Sequence, residues 1–101
     1  MHSPNNILSE EEGEQLAIWC KALGHPMRVR LVDWLLQTAN DEGWVCNDLV
    51  RHLPISASTA SEHLRILRES GLVSREIRGN NSRYQVNKDI FEQYRALLKS
   101  L

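Results

Sequence analysis

The stretch from Ile55 to Val86 limits the possible folds more than any other. A polar cap opens it, a helix with one apolar side follows, and a Gly-Leu-Val corner leads into two arginine-rich strands. Ser56 has the chemistry of an N-cap, its hydroxyl able to accept an orphan backbone N–H of the first turn. Ala60, Leu64 and Leu67 recur at helical spacing and form a core stripe. Gly71 suits the residue just past the helix end, where a left-handed backbone is needed. Beyond it, Val73, Arg75 and Ile77 alternate with Ser74, Glu76 and Arg78, and Tyr84 alternates with Val86. That pattern predicts a hairpin with one packed face, and Gly79 to Ser82 supplies its turn.

The exposed side of this helix carries short polar groups at its start: Ser58, Thr59, Ser61, Glu62 and then Arg65. Small side chains let a nucleic-acid duplex approach closely. Arg65 has the fork to reach a guanine, and Glu62 can accept from a cytosine amine. Ser56 and Thr59 suit phosphate contact or capping, which position a protein without reading sequence. Arg78, Asn80 and Arg83 lie at or beside the hairpin turn, where cations suit the minor groove or phosphates. His63 falls on the edge of the core stripe, so a partly buried, hydrogen-bonded ring competes with a DNA contact.

Two motifs resemble one family. Ser61-Glu62-His63-Leu64-x-x-Leu67-x-x-x-Gly71-Leu72-Val73 is similar to the recognition segment of the arsenic-repressor (ArsR) family of bacterial winged helix-turn-helix regulators. Lys21-Ala22-Leu23-Gly24-His25-Pro26-x-Arg28-x-Arg30-Leu31 resembles that family's opening signature. Both stand in the family's order and spacing, and the resemblance covers roughly residues 15 to 95. It implies a mainly α (α+β) winged helix-turn-helix with about five helices and a two-stranded wing. It also implies a homodimer built on the terminal helices, binding double-stranded DNA at an inverted-repeat operator and most often acting as a repressor.

The remaining chain supports this frame. At 101 residues one domain is expected, 9–101, behind a flexible arm at 1–8. The net charge of −1 does not mark the whole chain as a polyanion binder. From Ser56 to Gln85, however, arginines 65, 68, 75, 78 and 83 face only glutamates 62, 69 and 76, a local excess of +2. Ser9 and Glu12 spell a capping box for the first helix, with Leu16, Trp19, Cys20 and Leu23 as its apolar stripe. Pro26 suits the first position of a second helix reaching about Thr38. Arg28 and Arg30 read as helix-surface or intramolecular charges. Trp44 and Val45 suit a short strand beside the wing. A third, poorly capped helix is expected over Cys46–His52, ended before Pro54. The last spans roughly Lys88 to Ser100. Leu16, Trp19, Phe91, Tyr94, Leu97, Leu98 and Leu101 are candidates for a two-fold seam, or alternatively a cover for the core of one protomer.

No signal peptide or membrane-length apolar run is evident, so a cytoplasmic location without membrane association is expected. No catalytic constellation appears: Ser61 and His63 are two apart on a helix and do not face each other. No cofactor is expected. The resemblance points to effector positions that this chain fills differently. Arsenic sensors carry a Cys-x-Cys pair at the third helix, where this chain has Val45-Cys46-Asn47. Zinc sensors use Asp and His along the last helix, which here has Asp89 and no histidine. Two small apolar core residues is therefore the reading preferred for Cys20 and Cys46. The alternatives are a metal- or thiol-redox-responsive repressor using these thiols, with His2 a conceivable further ligand, or a winged-helix protein-interaction module that does not bind DNA.

Overall fold

A computed structural model describes residues 7–101. Five helices and three strands follow in the order α1 (Glu10–Ala22), α2 (Pro26–Gln37), β1 (Trp44–Val45), α3 (Cys46–His52), α4 (Ala57–Glu69), β2 (Val73–Arg78), β3 (Asn81–Val86) and α5 (Lys88–Lys99). The helix starts follow local chemistry. Ser9 and Glu12 form a reciprocal capping box, and Ser56 and Asn87 each accept a first-turn N–H. At α2, His25 takes the cap position, its Nδ1 accepting from the Met27 N–H at 3.0 Å, with Pro26 directly behind it. Val45 gives α3 no side-chain cap, as the sequence led us to expect.

The antiparallel sheet has the order β1-β3-β2. Arg78 pairs with Asn81, so the hairpin turn is only Gly79-Asn80, tighter than the predicted Gly79–Ser82 turn, and β3 starts before Tyr84. Gly79 at φ +60° makes so short a connection possible. At the sheet's other edge, Trp44 pairs with Tyr84 and Val45 with Arg83. Gly43 precedes this pairing at φ +76°, and a Cβ there would lie 2.9 Å from both the Tyr84 carbonyl oxygen and Gln85 Cγ. Only glycine meets both demands.

The core lies where α2, α4 and the sheet base converge. Leu31, Leu49, Leu64, Leu67 and Leu72 are completely buried, and so is the small Ala60 of the α4 stripe. Trp19 anchors α1 to the end of α4 by donating its indole N–H to the Ser70 carbonyl at 3.1 Å, while its ring meets Tyr94 of α5 edge-on. Two expectations need correction. The predicted packed face of the hairpin ends at its base: Val73, Tyr84 and Val86 are buried, but Ile77 is 65% exposed. The hairpin projects beyond the helices, which leaves nothing for Ile77 to pack on. Cys20 is also exposed rather than in the core. Leu16, Trp19 and Ala22 take the inward face of α1, and Cys20, one residue on from Trp19, is rotated away from it.

Candidate nucleic-acid interface

Helix α4 is divided lengthwise. Ala60, His63, Leu64 and Leu67 are buried, whereas Ser56, Ser58, Thr59, Ser61, Glu62 and Arg65 are exposed. The preceding turn fixes how the helix enters. Leu53 is buried, Ile55 packs against the core, and the Cys46 thiol reaches the Ala57 carbonyl at 3.6 Å, tying the start of α3 to the start of α4. The Ser56 hydroxyl caps the helix by accepting the Thr59 N–H at 3.3 Å, and it also donates to the Thr59 hydroxyl at 2.9 Å.

Arg65 is held by its own helix. Its Nε and Nη2 donate to the two carboxylate oxygens of Glu62, at 3.1 and 2.5 Å, and Nη1 donates to Glu69 at 2.8 Å. The guanidinium lowers the Glu62 pKa, chiefly through these hydrogen bonds, and both carboxylates raise that of Arg65. The sequence pointed to Arg65 and Glu62 as separate base readers. The structure joins them and adds Glu69, whose i,i+4 spacing from Arg65 was a visible signal.

His63 does not belong to the exposed set. Its ring lies 4.5 Å from that of His25 at a tilt of 47°, and its Nδ1 lies 3.1 Å from Arg28 Nη1. Because arginine only donates, this nitrogen must accept, which places the neutral ring's hydrogen on Nε2. The His63 pKa is lowered, first by burial and then by His25 and Arg28, with Glu62 acting weakly in the opposite sense. Arg28 Nε also donates to the Ala22 carbonyl at the end of α1. One arginine therefore links the α1–α2 corner to the buried side of α4. Arg28 fits the intramolecular role expected of it, and His63, named as a DNA-contact candidate, takes the other of its two readings, a buried and hydrogen-bonded ring.

On the wing, Asn80 is exposed at the turn. Arg78 pairs with Glu76 at 2.6 Å and approaches Glu42 at 3.8 Å. Arg83 leans back toward the sheet base, donating to the Gly43 carbonyl at 3.3 Å. Arg75, which the sequence reading did not select, is exposed and has no ion pair among the described residues.

A helix-turn-helix domain model matches residues 23–76, which span the α2–α3–α4 unit and β2. The transcriptional repressor SmtB homolog of Synechocystis sp. is 33% identical over 96 residues, covering 94% of this chain and 70% of the relative. The chain belongs to the ArsR family of winged helix-turn-helix transcriptional regulators. Among solved structures, a possible transcriptional regulator for arsenical resistance is 35% identical, with a TM-score of 0.69 over 85% of this chain and 81% of the other. A homodimeric winged helix-turn-helix domain from Mycobacterium bovis, a possible ArsR-family regulator, shares the fold at 24% identity, with a TM-score of 0.70 over 90% and 83% of the two chains.

Both thiols are free and sit in different settings. Cys46 is half-buried, and burial pushes its thiol pKa up. Cys20 is exposed and lies beside Tyr94, whose own pKa is raised by burial first and then by this thiol. Among the described residues no three His, Cys, Asp or Glu side chains converge to hold a metal ion, and His2 lies outside them. Also among the described residues, no helix is long and apolar enough to cross a membrane.

The residues named for a two-fold seam fall into two groups. Leu16, Trp19 and Phe91 are buried within the single chain. Tyr94 and Leu97 are half-buried, and Leu98 and Leu101 are exposed. Between α1 and α5 runs an open groove floored by Trp19, Ala96 and Leu97.

Proposed function

We propose that this ArsR-family regulator is a homodimeric repressor that binds an inverted-repeat operator through α4, with the wing holding the flanking backbone. The observation that carries this reading is the lengthwise division of α4. Its buried stripe fixes the helix rigidly, and its opposite face offers Ser58, Ser61, Glu62 and Arg65 to a major groove. Ser56 and Thr59 at the helix start, and Arg78, Asn80 and Arg83 on the wing, serve as phosphate or minor-groove contacts. Arg75 joins them as the wing cation without an ion pair among the described residues.

The α1–α5 face around this groove is the proposed two-fold seam. Trp19 and Leu97 line the groove, Tyr94, Leu98 and Leu101 add half-buried or exposed apolar groups on or just past α5, and Leu16 and Phe91 are buried in the same two helices. The homodimeric state of the Mycobacterium bovis relative supports the pairing of two chains. Titration of a duplex at two salt concentrations, with the mass of the complex measured alongside, tests the proposal. Two chains per duplex are expected, with affinity falling steeply as salt rises, by a log–log slope of about −0.9 per neutralised phosphate. Salt-independent binding, or one chain per duplex, overturns it.

A further inference from the structure

Arg65 offers five N–H groups, one on Nε and two on each terminal nitrogen. Glu62 occupies the Nε hydrogen and one on Nη2, and Glu69 occupies one on Nη1. One N–H remains on each terminal nitrogen. A bidentate contact to guanine O6 and N7 takes two donors. By donor count, the ion-paired group need not open to read a base.

Its charge argues for the same use. Glu62, Arg65 and Glu69 together carry −1, and all three are exposed on one face of the helix. A group of net negative charge neutralises no phosphate. Base edges are different, because they present donors and acceptors without a formal charge. The group's two remaining donors suit guanine, and the remaining acceptor capacity of Glu62 suits a neighbouring amine. A lone arginine, by contrast, has a long flexible stem and can swing to the nearest phosphate.

We propose that Glu69 is a specificity-determining positioning residue: with Glu62 it holds the Arg65 fork on α4, so that its two remaining donors read one guanine in each half-site. The inference rests on the reading that α4 enters the major groove. Glu69 touches no DNA in this account and acts only through Arg65.

The test uses the full chain and the duplex that the wild-type protein selects from a random pool, with variants bearing each other base at the guanine assigned to Arg65. A random-sequence duplex of equal length is the reference. Glu69→Gln removes the charge that holds Nη1 and leaves the fold intact, since the side chain is 62% exposed. Discrimination for guanine should fall at least fivefold, while affinity for the random duplex holds or rises. The slope of log affinity against log salt should steepen by up to about one phosphate contact as Arg65 becomes free to swing. In an Arg65→Lys background, which lacks the fork, Glu69→Gln should cause no further loss of discrimination. If Glu69→Gln raises affinity equally for all duplexes and leaves guanine preference intact, Glu69 only repels DNA and the inference is overturned. An equal loss of discrimination from Glu69→Gln in both backgrounds also overturns it. If the wild-type protein selects no sequence, the groove reading itself fails, and this inference with it.

Discussion

Acidification should loosen α4 from its seat through one identifiable ring. His63 is 9% exposed, and its Nδ1 accepts from Arg28 at 3.1 Å. Protonation turns that nitrogen into a donor facing a donor and adds a positive charge beside Arg28 and His25, offset only in part by Glu62. The folded protein holds this imidazole below its ordinary pKa of 6.5, so the unfolded chain takes up the proton more readily. The stability it contributes is therefore complete above about pH 6.5 and is lost as pH falls through the lower folded-state value. Losing a buried hydrogen bond and leaving its donor unsatisfied costs about 1–3 kcal/mol. In a domain of this size each kcal/mol corresponds to roughly 4–8 °C in melting temperature. Thermal melts from pH 7.5 to 5.0 should show that loss in the wild-type protein and a flatter profile in His63→Gln, which keeps an acceptor for Arg28 but does not titrate. His52→Gln is the control, because His52 is exposed and stacked on Trp34. Parallel profiles for the wild-type protein and His63→Gln would refute the argument.

Other outcomes follow from the same geometry. Arg65→Ala should weaken binding to the selected duplex roughly 10- to 100-fold and relax preference at one base pair of each half-site. Its melting temperature should hardly change, because exposed ion pairs add little to stability; a uniform loss across sequences would reduce Arg65 to a backbone contact. Gly43→Ala should cost about 1–2 kcal/mol or more in urea unfolding, since it forces a Cβ into the left-handed region and against β3. A neutral result there would show that the β1–β3 junction yields easily. Cys20→Ser/Cys46→Ser should retain duplex binding, and zinc, arsenite or mild peroxide should change wild-type affinity less than tenfold. Ellman's reagent should label exposed Cys20 before Cys46, whose burial disfavours the thiolate. A larger effector response that the double variant abolishes would make the thiols a sensor.

What could be read in advance was whatever depends on neighbours a few residues apart. The Ser9–Glu12 capping box, the Ser56 cap and the Ala60, Leu64 and Leu67 stripe are local patterns, and each formed where the residues indicated. The exposed face of α4 followed from that stripe by subtraction. The features that escaped depend on distance or on the limits of the core. Arg28 and His63 are 35 residues apart, and only the closing of the α1–α2 corner against α4 brings them together. Alternation placed Ile77 on the packed face, but alternation carries no information on where the helices beneath a hairpin end. Cys20 has the right spacing from Leu16 for a stripe, yet Trp19 claims the inward position and takes Cys20 out of register. The Arg65–Glu69 pair is a different kind of miss, because its spacing was legible while the partition of the guanidinium donors depends on side-chain geometry.

The most direct test of the central claim is selection of bound sequences from a pool of random duplexes, read out base by base. The account predicts one enriched motif made of two inverted half-sites, centred about 10–10.5 base pairs apart, or a multiple of that spacing, as two α4 helices in a symmetric dimer require. Each half-site should carry a guanine whose enrichment disappears when the selection is repeated with Arg65→Ala. A pool that emerges without an enriched motif, or with a single unrepeated half-site, would contradict it.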